Sequence, residues 1–201
     1  MATARKKNSS KLLTLKIELV DTTPLIWRRI VISGRASFAT LHHVIQAAMG
    51  WHDAHLHVFR VGNLNVGVPD PEFDEPEDPV AKETLLRLAT LLTTDSTFTY
   101  RYDLGDSWEH RIRVEQVRAR GDRDGDGTIA WVEGGERACP PEDSGGVGRY
   151  QEFLACWEHD PYGEETEGVR TWAGLDFDPA RFDRPAANAA IDRMFWNRWI
   201  K

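Results

Sequence analysis

The sequence predicts an α+β domain: a mixed or antiparallel sheet with a central β-hairpin over Phe98–Val117, helices packed on that sheet and a helical C-terminal portion. Three observations lead there. Period-two alternation recurs through roughly the first 120 residues, helical spacing dominates roughly the last 50, and no internal repeat interrupts the order. The hairpin carries the clearest pattern. Phe98, Tyr100, Tyr102 and Leu104 share one face of a strand. After the Gly105-Asp106-Ser107 connection, Trp108, His110, Ile112 and Val114 share one face of the next, and Glu109, Arg111, Arg113 and Glu115 take the other.

The remaining elements follow in chain order. Residues 1–11 read as a disordered basic tail, with Arg5, Lys6, Lys7 and Lys11 and no acid; a phosphate-binding arm is the sharper alternative. Residues 12–201 read as one domain. Leu13, Leu15, Ile17 and Leu19 alternate with polar residues as a half-buried strand, and residues 25–32 are a β-branched, aromatic second strand. Ser37 is a plausible N-cap for a helix presenting Phe38, Leu41, Ile45 and Ala48, which Gly50 ends. A third strand is expected over His55–Val61. Residues 69–80, with four prolines and six acids, form a loop; residues 81–92 read as an apolar helix. Residues 121–148 read as irregular, and helices are expected near 149–157 and 186–199, where Ile191, Phe195 and Trp199 recur every four residues.

Composition removes some functions. A net charge of −7 works against generic nucleic-acid binding, which depends on neutralising phosphates. No apolar run reaches the ~20 residues of a membrane span, and no apolar h-region follows the basic start. Cys139 and Cys156 form no metal-type pair and suit a reducing compartment, so the cytoplasm is expected. Eight tryptophans call for an aromatic core or an aromatic binding surface.

Three segments could carry chemistry. In Trp51–His57, His55 and His57 would share one side of a strand, and His42 or His110 could join them around a metal; hydrogen-bonded, partly buried histidines are the plainer alternative. In the hairpin turn, Asp103, Asp106 and His110 could serve as acid and base, although an aspartate in a tight turn commonly binds its own backbone amides. Asp122, Asp124, Asp126, Gly127, Thr128 and Glu133 match the calcium-loop spacing D-x-D-x-D-G-x₅-E, in which alternate oxygens converge on one ion. The flanks exclude an EF-hand: a strand precedes the loop, and Gly134-Gly135 with Pro140-Pro141 forbids an exiting helix. An acidic solvated loop is the alternative to calcium.

Several of these segments, taken together and in order, resemble the plasmid pRiA4b ORF-3-like family: Pro24–Arg29, Phe38–His42, Gly50-Trp51 with His55–Phe59, Tyr102–His110, Arg137–Asp143, and Trp172 with Phe177–Asn188. The resemblance spans about residues 12–198. It implies a small intracellular α+β protein of a kind found in bacteria and archaea, sometimes on plasmids or beside insertion elements, and it brings no established reaction. Its pattern maps onto Arg28, His42, His55, His57, Asp103, Asp106, Trp108, His110, Cys139, Glu142 and Asp143, so a shared site would draw on these. The expected function is a binding or accessory module with a protein or nucleic-acid partner and a calcium loop at 122–133. The alternative is a hydrolase using the His/Asp set near the hairpin, drawn from Asp103, Asp106, His110, His55 and His57, with or without a metal; Arg28, His42, Trp108, Glu142 and Asp143 are the candidate binding residues in either case.

Overall fold

A computed structural model describes residues 11–70, 78–124, 127–174 and 176–197. The elements are β1 (Lys11–Leu19), β2 (Trp27–Ser33), α1 (Phe38–Met49), β3 (His57–Val61), β4 (Leu64–Gly67), β5 (Val80–Lys82), α2 (Leu88–Leu91), β6 (Thr97–Tyr102), β7 (Trp108–Ala119), β8 (Ala130–Glu136), α3 (Gly146–His159), α4 (Glu164–Ala173) and α5 (Arg184–Trp196). The strands form one sheet in the order β5-β4-β3-β6-β7-β1-β2-β8, so the hairpin β6–β7 occupies its middle. Every pairing is antiparallel except β4 with β5, which makes the sheet mixed. No helix among the described residues is long and apolar enough to cross a membrane.

One face of the sheet holds the core. Leu15, Ile17, Phe59, Phe98, Tyr100, Trp108, Ile112 and Val114 are all buried there, as the alternation requires. Helix α1 lays Phe38 edge-on against Phe59, 5.3 Å between ring centroids, and against Phe98. Its ends are fixed chemically: Ser37 accepts the Thr40 N–H, and Gly50 adopts φ +93°, which costs glycine little. Helix α5 packs on α1 and β8.

The opposite face is polar, and most of its cations are paired. Arg29 grips Glu115 through two hydrogen bonds of 2.6 and 3.0 Å, Arg113 meets Asp95, Arg60 meets Asp78 and Lys16 meets Glu18.

The structure departs from the sequence reading in five places, the first being β4, a strand the sequence reading did not expect. The third strand starts at His57 and not at His55. Residues 81–92 are not one helix: Val80–Lys82 gives its backbone to β4, Glu83 is buried beside His57, and only Leu88–Leu91 turn helically. Residues 130–136, expected to be irregular, form β8 despite Gly134-Gly135. Helix α4 was not anticipated, because its acids and glycine hide any apolar period. The C-terminal helices fall where expected, with Trp199 outside the described residues.

The β8 exception has a steric reason. Gly135 lies opposite Arg28 in the ladder, and a Cβ there would stand 2.7 Å from the Phe182 ring, 2.8 Å from Arg28 Cδ and 2.8 Å from the Trp27 carbonyl. Gly135→Ala is therefore expected to cost about 1–3 kcal/mol, as overpacking does. A urea melt indistinguishable from wild type would show that this contact is not tight. Further along β8, the Asn188 side chain of α5 accepts the Val132 N–H at 2.7 Å and donates to the Val132 carbonyl at 3.1 Å.

Candidate functional site

The hairpin turn sets the first carboxylate. Asp103 follows β6 with φ +54°, a left-handed conformation that aspartate tolerates. Its Oδ1 accepts the N–H groups of Gly105 and Asp106, at 2.9 and 3.2 Å, and so shapes the turn. Its Oδ2 is left 3.6 Å from His55 Nε2. The loop after β8 brings two more carboxylates. Glu142 takes the His52 N–H at 2.8 Å and the Tyr102 hydroxyl at 3.0 Å on Oε1, while its Oε2 stands 3.9 Å from His55 Nε2. Asp143, φ +53°, places Oδ1 3.0 Å from the same nitrogen.

Three carboxylates from two segments far apart in sequence thus surround one imidazole nitrogen. His55 Nε2 forms no directed hydrogen bond with any of them, although it is buried. One donor atom each from His55, Asp103 and Asp143 lies within 4.8 Å of the others. Donors bound to a common cation at about 2.1 Å stand about 3.0–3.4 Å from one another, whether octahedral or tetrahedral. One imidazole with two or three carboxylates suits a divalent cation that accepts nitrogen and oxygen.

A second polar network lies behind the first. His42 Nε2 is 2.7 Å from Asp53 Oδ1, and His42 Nδ1 is 2.8 Å from the Tyr100 hydroxyl. Gln46 donates to that hydroxyl at 3.0 Å and accepts the Asp53 N–H through its own carbonyl. The directions are consistent only if His42 donates from Nε2 and Tyr100 donates to Nδ1. Burial holds the His42 pKa down despite Asp53, and the stacked His57 ring lowers it further. Burial raises the Asp53 pKa, but hydrogen bonds from His42 and His43 outweigh it and hold the carboxyl well below the usual range. His43 Nδ1 lies 3.4 Å from Asp53 Oδ2, so His42, His43 and Asp53 form another metal-capable group. Both ring nitrogens of His42 are already engaged, which makes it a positioning residue here.

The other predicted residues divide clearly. His57 does not point with His55: it stacks on His42, ring centroids 3.5 Å apart, and bonds Glu83 at 2.7 Å, because His55 precedes the strand and escapes its alternation. Asp106 caps the Gly145 N–H at 2.8 Å and tethers the turn to the start of α3, away from His55. His110 and Trp108 are fully buried core residues. His110 Nδ1 lies 3.2 Å from the Tyr100 carbonyl, and burial lowers its pKa to about 4. Arg28 is buried beneath α1 and bonds only carbonyls among the described residues.

In the calcium-like loop, Asp126 lies outside the described residues. The Asp124 carboxylate is held by both terminal nitrogens of Arg118, at 2.6 and 2.7 Å, and Arg120 donates to the Thr128 carbonyl. Asp122 is exposed in a 3-10 turn, and exposed Glu133 lies on β8.

A family model described as plasmid pRiA4b ORF-3-like protein matches residues 11–186. The chain belongs to the plasmid pRiA4b ORF-3-like family. A curated relative, the uncharacterized protein y4hQ of Sinorhizobium fredii, is 36% identical over 182 residues, 90% of each chain. A crystal structure of a protein of unknown function from Methanosarcina mazei Go1 is similar at 35% identity, with a TM-score of 0.77 over 90% of this chain and 98% of that one. His55, Asp103, Glu142 and Asp143 all stand in the segments that resemble this pRiA4b ORF-3-like pattern, and the fold brings them together. Asp53, Tyr102 and Glu83 were missed as site residues. Asp53 sits within the histidine-rich segment, and that adjacency was its signal; Glu83 left none, since its surroundings read as helix.

Proposed function

We propose that this protein is a divalent-cation-dependent hydrolytic enzyme centred on His55, Asp103 and Asp143, with Glu142 as the adjoining carboxylate. The observation that supports this most is the approach of three carboxylates to His55 Nε2, at 3.0–3.9 Å, without a hydrogen bond to any. Such a cation would supply a water of lowered pKa as nucleophile. Asp103 presents a single oxygen because the turn occupies the other, and the Tyr102 hydroxyl and His52 N–H fix the orientation of Glu142. A carboxylate held in this way is suited to accept a proton from water.

The nucleic-acid reading draws on the basic N-terminal residues and the outer face of the hairpin. On that face Arg113 is paired with Asp95, Glu115 holds Arg29, and Glu109 adds a further negative charge, so the face is mixed in charge and supports the reading less than the sequence suggested. For the 122–133 loop to take calcium, Asp124 would have to leave Arg118 and the Thr128 carbonyl would have to leave Arg120. The cation proposal therefore rests on His55 and not on the loop.

Elemental analysis after loading with Mn²⁺ or Zn²⁺ and desalting tests the reading. Wild type is expected to retain close to one equivalent, and His55→Ala, Asp103→Asn and Asp143→Asn to lose it, with p-nitrophenyl phosphate or ester hydrolysis falling in parallel. Retention in all three variants, or none in wild type, would overturn it.

A further inference from the structure

A second site lies on the other side of Glu142. A cavity of about 510 Å³ opens between the end of α1, the Cys139–Glu142 segment and α5, and Arg28 lines it. Pockets of roughly 300–1,000 Å³ accept small organic ligands. Most of the wall is apolar, including Ala48, Pro141, Phe177 and Ala187.

Arg28 is an unusual residue to find there. It is 1% exposed, and no carboxylate is bonded to it among the described residues. Nε donates to the Ala48 carbonyl at 2.8 Å, and Nη1 donates to the carbonyls of Trp27 and Glu136 at 2.8 and 2.9 Å. The Phe182 ring lies 3.9 Å beneath the guanidinium carbon. These contacts use three of the five N–H groups and pin the plane of the fork. Nη2 has no hydrogen-bond partner among the described residues, and Arg28 lines the cavity. The two acids on the wall are committed elsewhere: Glu142 to Tyr102 and His52, Asp183 to the first turn of α5 and to Arg181.

A buried cation without a counter-charge is costly, and the two remaining N–H groups of a guanidinium held rigid can make charge-assisted hydrogen bonds to an anion. Burial lowers the Arg28 pKa to about 10, so the group stays charged at neutral pH. We infer that this cavity binds a small organic anion, with its carboxylate or phosphate on Nη2 of Arg28 and its apolar body along Ala48, Pro141 and Ala187. Arg181, next to Phe182 on the cavity wall, is already ion-paired with Asp183, which leaves Arg28 as the cation that receives the anion. The inference does not rest on the cation centre, since His55 does not line this cavity.

Calorimetric titration of the full chain with benzoate, phenyl phosphate and neutral benzamide tests it. Benzoate or phenyl phosphate is expected to bind, and which of the two binds more tightly separates carboxylate from phosphate recognition. Benzamide should bind at least about tenfold more weakly. Arg28→Gln should lose roughly a hundredfold in affinity. Ala190→Phe fills the cavity from α5 without touching Arg28 and should block the same probes, which keeps the test open if Arg28→Gln fails to fold. His55→Ala should bind anions as wild type does, whatever its metal content. Equal affinity for benzamide, no binding of either anion to wild type, or unchanged binding in Ala190→Phe would overturn the inference.

Discussion

Trp108→Ala is expected to lower the unfolding free energy by about 4 kcal/mol, the largest loss anticipated for a single truncation in this chain. Trp108 is fully buried at the start of β7, with Trp51 at 6.2 Å and Tyr150 at 6.4 Å between ring centroids. Removing the indole leaves a cavity where β7, the loop before β3 and α3 meet, and none of these can collapse without breaking the sheet register. For a domain of this size the melting temperature should fall by roughly 8–16 °C. The indole N–H has no partner among the described residues, so Trp108→Phe also removes an unsatisfied donor and should cost much less than alanine. Equal losses for the two substitutions, by chemical denaturation, would show that packing around the ring is not what Trp108 contributes.

Acid should destabilise the fold through His110 before most carboxylates titrate. An unfolded histidine has a pKa near 6.5, and burial lowers that of His110 to about 4. Because the folded pKa is depressed, the folded state binds fewer protons than the unfolded state between these values. Stability is therefore complete above about pH 6.5 and is lost as pH falls towards 4, by about 3 kcal/mol in total. His42, also lowered by burial, acts in the same direction. In His110→Leu the drop in stability between neutral pH and pH 4.5 should shrink by about 2–3 kcal/mol relative to wild type. If the two proteins lose stability in parallel across that window, His110 is not the group responsible.

The sequence displayed the architecture more readily than the site. Helix α1 could be read because Ser37 and Gly50 both declare its ends, and the hairpin because alternation runs through Phe98–Tyr102 and resumes through Trp108–Val114. Strand β8 was hidden, since Gly134-Gly135 reads as a breaker until Arg28 and Phe182 are seen to need the space. The pairing of β5 with β4 was hidden as well, because a three-residue parallel strand has no period to detect. At the candidate centre, His55, Asp103, Glu142 and Asp143 were each visible as polar residues in suggestive segments. Their meeting was not, because it depends on β3 pairing with β6 and on the loop after β8 crossing to the hairpin turn. The spacing that looked most specific, Asp122–Glu133, is the one in which arginines hold two of the expected ligand groups, since a spacing rule does not register nearby cations.

The contact between Asn188 and Val132 bears on how the molecule behaves in a crowd. Strand β8 ends the sheet, and an outer strand offers its outward N–H and C=O groups to any extended chain that drifts by. The Asn188 amide takes both of those groups at Val132, imitating a single peptide unit of a ninth strand that never forms. The opposite margin is β5, only three residues long and ending in Lys82, too short to template a neighbour. An open eight-stranded sheet is thus stopped at both margins by small local devices, and it can stay separate from its own copies without closing into a barrel.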